Sequence, residues 1–115
     1  MIDKYKYVVF DFDGVICDST NECMLTSWNA WQIFNGINAF RNELNEFTSR
    51  EKNIFKKLRP YVRGAGEYFI VLKSIASEEY KIVDQKDFDF YCKTWKNQID
   101  QFKKTFLEER KKLRS

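Results

Sequence analysis

The chain contains no histidine. That absence removes Ser-His-Asp triads, imidazole acid–base catalysis and metal sites built on imidazole nitrogen. Proline and glycine are scarce, at one and four residues, and neither a repeat nor a low-complexity linker interrupts the sequence. Cys17, Cys23 and Cys92 are odd in number and have no paired spacing, which predicts three reduced thiols and no zinc site. No apolar run approaches the roughly 20 residues of a membrane span. The first ten residues carry Lys4 and Lys6 and lack the apolar segment of a secretion signal, so the expectation is a cytoplasmic protein with no membrane partner. A strong charge of one sign is missing too. The 20 basic and 17 acidic residues are interleaved except near the C-terminus, and a net charge of +3 gives no case for a nucleic-acid partner. Carboxylate chemistry is what remains.

What is present in quantity is apolar and aromatic surface. Hydrophobic residues make up 43% of the 115 residues, with 11 Phe, 6 Tyr and 3 Trp, ample for the core of one small domain. Most of it recurs at helical spacing. Ser19 and Glu22 have capping-box spacing, and Trp28, Trp31 and Phe34 continue at intervals of three until Asn35-Gly36, predicting a helix over about 19–35. Phe40, Leu44, Phe47, Ile54, Phe55 and Leu58 predict a second over about 40–59, ended by Pro60. A third is expected over about 66–77. The fourth and longest, over about 85–113, carries a stripe of Phe88, Trp95, Ile99, Phe102 and Phe106 that must face another surface. Its end, from Glu108 to Ser115, is expected to be a solvated helix terminus.

One segment reads differently. Tyr7-Val8-Val9-Phe10 is an apolar run of the kind found in interior parallel strands, and it leads into Asp11-Phe12-Asp13-Gly14. In extended backbone Asp11 and Asp13 project from the same side. Open parallel sheets place their ligands at the carboxyl ends of strands, where this pair would sit.

Asp11-Phe12-Asp13-Gly14-Val15 resembles the first motif of the haloacid dehalogenase superfamily, and the continuation Ile16-Cys17-Asp18-Ser19 is similar to its phosphoglycolate phosphatase and β-phosphoglucomutase branch. The resemblance implies Asp11 as the nucleophile that becomes an aspartyl-phosphate and Asp13 as the general acid/base. It also implies Mg²⁺ held by the Asp11 side chain and the Asp13 backbone carbonyl, an oxygen set suited to a hard cation. Family members that cleave carbon–halogen bonds generally lack the second Asp, so Asp13 points to phosphoryl transfer on a small phosphorylated metabolite.

The family also uses a Ser/Thr after a second strand, a distal Lys and a late acidic pair. Ser74, after Tyr68-Phe69-Ile70-Val71-Leu72, and the pair Asp87 and Asp89 are the only candidates, and both are rejected because their flanks read as helix. The expected fold is therefore mostly α: residues 1–18 form the first strand and motif of an incomplete core, and 19–115 form a cap-like region of about four helices. The full family fold would be α/β and Rossmann-like. In such enzymes the cap closes over the site and selects the substrate. Arg59 and Arg63, beside a flexible Gly64-Ala65-Gly66 loop, are the cap residues expected to contact an anion.

A lone interior strand leaves backbone donors and acceptors unpaired on both edges. The chain is thus expected to be the N-terminal part of a longer Mg²⁺-dependent phosphohydrolase and inactive alone, or a natural truncation, or one subunit completed by another chain; alone, its strand is expected to pair with a copy of itself or to be covered by the long helix. The alternatives are a degenerate, non-catalytic binding protein and a helical interaction module acting through the 85–113 helix.

Overall fold

A computed structural model describes residues 20–77 and 79–114. Five α-helices make up most of this region, and no strand occurs among the described residues. The mostly α class follows from the sequence as expected. The strand, Asp11 and Asp13 lie outside the described residues.

Helix α1 spans Thr20–Phe34. It ends at Asn35-Gly36, as the sequence predicts. Gly36 adopts φ +70°, and Ile37 N donates to Gln32 O while Gly36 N donates to Ile33 O. This pair of bonds is a Schellman closure, which needs the left-handed conformation that glycine enters without steric cost.

The expected helix over 40–59 is shorter than predicted. Helix α2 spans only Ser49–Leu58, preceded by a 3-10 turn at Leu44–Glu46. The reason lies on α1. Asn29 clamps the backbone of Arg41 from both sides, donating to its carbonyl at 2.8 Å and accepting from its N–H at 2.9 Å, and Gln32 donates to Ala39 O at 3.0 Å. Backbone groups taken by buried amides are not available to a helical ladder. Phe40, read as part of an apolar helix face, is 48% exposed. Helix α2 starts instead at a capping box: Thr48 accepts from Glu51 N, and Glu51 accepts from Thr48 N.

After the Pro60 turn, a 3-10 turn at Ala65–Glu67 leads into helix α3, Tyr68–Ala76. Tyr68, Phe69, Ile70, Val71, Leu72, Ser74 and Ile75 are all buried, so α3 is the central rod of the domain rather than an amphipathic surface helix. Phe69 meets Trp31, Phe34, Trp95 and Phe102 at centroid distances of 5.3–6.0 Å, and Tyr68 is stacked between Phe55 at 5.7 Å and Phe106 at 5.1 Å. These offset and edge contacts join α1, α2 and α5 to the rod.

The long helix expected over 85–113 is two helices, α4 at Gln85–Thr94 and α5 at Lys96–Arg114. Trp95 separates them at φ −108°, ψ 27°, outside the helical region, while its ring lies 6.0 Å from Phe69 and its face receives Lys73 Nζ at 4.4 Å. Burying that indole against α3 sets the corner. Phe88, Phe102 and Phe106 are fully buried, so the apolar stripe is covered within the chain itself.

Within Gly64-Ala65-Gly66, expected to be a flexible loop, Gly64 is open while the next two residues are packed. Ala65 and Gly66 are buried, and a Cβ placed on Gly66 would lie 2.5 Å from Ile99 O and 2.8 Å from Ile99 Cγ2. The glycine permits a close crossing of the 65–67 turn over α5. No helix among the described residues is long and apolar enough to cross a membrane.

Candidate functional site

The two cap arginines have separate surroundings. Arg59 follows α2 directly, where Pro60, lacking a backbone N–H, stops the α-helix and tightens the chain into the 3-10 turn Arg59–Tyr61. That turn directs the Arg59 side chain back toward the start of α1, with Nη2 3.9 Å from Cys23 Sγ. Its Nε is buried and has no hydrogen-bond partner. Cys23 lies three residues into α1, twelve positions after Asp11 in sequence. The fold therefore brings Arg59 against the first turn of the helix that follows the motif.

Tyr68 completes this corner. Burial pushes its phenol above the ordinary value, opposed by the charge of and a hydrogen bond from the Arg59 guanidinium. Other buried polar atoms without a hydrogen-bond partner occur one turn along the same helices. Thr26 Oγ1 is one turn beyond Cys23, and Glu109 Oε1 and Arg110 Nε are one turn beyond Phe106, which stacks on Tyr68. Lys112 Nζ is 3.5 Å from Glu109 Oε1, an ion pair without hydrogen-bond geometry. A buried donor or acceptor left unpaired costs about 1–3 kcal/mol, and Arg59 Nε, Thr26 Oγ1, Glu109 Oε1 and Arg110 Nε are such atoms among the described residues. Glu109 is only 8% exposed, which corrects the expectation of a wholly solvated terminus. Continuing the spacing Phe102, Phe106 by three would have found it.

Arg63 is engaged elsewhere. Its guanidinium pairs with Asp89 of α4, and its backbone N–H donates to Glu67 Oε1 at 2.7 Å. Gln85 Nε2 also donates to Asp89 Oδ1 at 3.0 Å. With its charge matched by a carboxylate, Arg63 is a structural bracket between the 61–64 loop and α4. It and Arg59 do not share a site.

The rejected family elements behave as helical residues. Ser74 Oγ donates to Ile70 O at 2.9 Å within α3. Asp87 helps start α4, its N–H bonding to the Asp84 N-cap and its carboxylate accepting from Val83 N. The Ser74 hydroxyl proton and the Asp87 carboxylate are thus engaged within their own elements. No group of three or more Cys, Asp or Glu among the described residues is placed to hold a metal. Cys23 is disulfide-bonded, a departure from the expected three reduced thiols, while Cys92 is free and burial pushes its thiol up to about 12.

No family model matches this chain, and neither curated proteins nor solved structures provide a match.

Proposed function

We propose that the chain is the N-terminal part of a Mg²⁺-dependent phosphohydrolase of the haloacid dehalogenase type, with residues 20–114 serving as its helical cap. The observation that carries this reading is the adjacency in sequence of Tyr7–Phe10, Asp11-Phe12-Asp13-Gly14-Val15 and a helical bundle beginning at Thr20. Asp11 attacks phosphorus, forming a carboxylate oxygen–phosphorus bond as the ester oxygen–phosphorus bond breaks. Asp13 delivers its proton to the departing oxygen and then takes one from the water that hydrolyses the acyl phosphate. The Asp11 carboxylate and the Asp13 backbone carbonyl would hold Mg²⁺, which supplies charge neutralisation at the phosphoryl group. Arg59, whose Nε lacks an acceptor near the start of α1, is the cap residue suited to an anionic substrate.

The test is phosphate release from p-nitrophenyl phosphate with Mg²⁺, by the 115-residue chain and by the full polypeptide its gene encodes, each beside its Asp11→Asn variant. The expected result is release that requires Asp11, in the full polypeptide if the site needs further residues. Equal rates for parent and variant in both forms would sink the reading.

A further inference from the structure

A groove beside α2 differs in composition from two other clefts among the described residues. It lies between α2 and the residues Ser77 and Tyr80 to Val83, with a volume of about 520 Å³. Three cations, Arg50, Lys57 and Lys81, line it, over a floor of Ile54, Leu58 and Ile82. No Asp or Glu lines it among the described residues. Two further clefts among the described residues mix signs: one sets Arg63 beside Glu67 and Asp89, and another sets Lys104 beside Asp100 and Glu108.

None of the three cations forms an ion pair with a described carboxylate. Arg50 spends one donor, Nη1, on Ile75 O at 3.0 Å, which fixes the guanidinium at the end of α3 and leaves its other nitrogens free. Lys57 and Lys81 are exposed. Ser77 Oγ accepts from Glu79 N, so its own hydroxyl proton remains available to a ligand. Cationic rim, free hydroxyl and apolar floor together suit a molecule with an anionic head and an apolar body. The volume falls in the range of small-molecule sites.

We infer that this groove binds a small organic phosphomonoester, with the phosphate among Arg50, Lys57 and Lys81 and the apolar body on Ile54, Leu58 and Ile82. A dianion is the charge that three unpaired cations match best, and a purely inorganic ion would leave the apolar floor unused. None of the residues assigned to the proposed Asp11 chemistry lines it among the described residues.

The probe is 1-naphthyl phosphate, titrated without Mg²⁺ into the isotope-labelled 115-residue chain while backbone amide shifts are followed. Saturable shifts are expected at 50–58 and 80–83. Lys57→Glu with Lys81→Glu should weaken binding about tenfold or more without changing the melting temperature, because exposed pairs are individually weak but two are reversed together. Lys57→Gln with Lys81→Gln should fall between parent and double reversal. Asp11→Asn should bind as the parent does, which separates this site from the phosphohydrolase reading. Inorganic phosphate should bind more weakly than the naphthyl ester. Shifts confined to α1, no saturable shifts, or 1-naphthol binding as tightly as its phosphate would each overturn the inference.

Discussion

Gly66→Ala is the sharpest test of the packing that forms this bundle. The added methyl would meet Ile99 O at 2.5 Å, Ile99 Cγ2 at 2.8 Å and Lys103 Cβ at 3.2 Å. The Cγ2 contact could be relieved by a side-chain rotation, but the carbonyl belongs to the α5 backbone. Relief requires the 65–67 turn and α5 to separate by about 0.5 Å or more, and close-packed interiors resist this because the contacts of neighbouring side chains are lost with it. Overpacking of this kind costs about 1–3 kcal/mol, and a backbone obstacle places Gly66→Ala toward the upper end. Alanine also stiffens the unfolded chain, which returns about 0.4–1 kcal/mol, so the net expectation is a loss of about 1–2.5 kcal/mol. At roughly 4 °C per kcal/mol for a chain of this size, the melting temperature should fall by about 4–10 °C. Gly64→Ala is the internal control. It lies two residues away at φ −150°, with nothing within 4 Å of its added Cβ, and should be neutral or slightly stabilising. Urea unfolding followed by far-ultraviolet circular dichroism measures both. If Gly66→Ala is as stable as the parent, or if both variants lose the same amount, the close crossing over α5 is not what the glycine provides.

Thr48→Ala should cost about 1 kcal/mol in the same unfolding assay, because it removes the hydroxyl that caps Glu51 N at the start of α2. Burial raises the Glu51 carboxyl, but the Arg41 guanidinium at 2.8 Å and the Thr48 N–H outweigh it and hold the group below its ordinary value. A carboxyl depressed in the folded state contributes stability above its unfolded value and loses it as pH falls below about 4.5. Glu51→Gln should therefore be less stable than the parent at neutral pH, with the gap closing as pH falls below the ordinary 4.5. A gap independent of pH would show that the charge is not used. Burial is also the first cause of the raised Cys92 thiol, which reaches about 12. Its contribution to stability is complete below the ordinary 9.0 and declines as pH rises toward 12. Iodoacetamide at about pH 8.5 should alkylate Cys92 much more slowly in the folded chain than in urea, and equal rates would contradict the buried environment.

Local signals in the sequence predicted α1 and its stop well. Asn35-Gly36 terminates the helix because glycine alone enters φ +70° freely, and that preference needs no tertiary partner. The break after α2 is similar, since Pro60 removes a backbone donor wherever it stands. The 40–48 segment departs from its local pattern for the opposite reason. Its apolar spacing suits a helix, but Asn29 and Gln32 capture its backbone from a neighbouring element. The Thr48-x-x-Glu51 capping box was the local clue to where α2 begins. Trp95 likewise ends α4 through its docking on Phe69, a contact between residues 26 positions apart.

The candidate site divides along the same line. By itself the sequence determined the spacing of Asp11 and Asp13, the predominance of helix in the described residues after residue 19, and the lack of histidine, because these depend on residue type and local spacing. Tertiary structure decided that Arg59 turns toward Cys23 at the start of α1 while Arg63 is matched by Asp89, and that Arg50, Lys57 and Lys81 share one groove without a carboxylate lining it among the described residues. Whether an arginine is a spare cation or half of an ion pair depends on which distant carboxylate the chain brings beside it, and no local preference specifies that encounter.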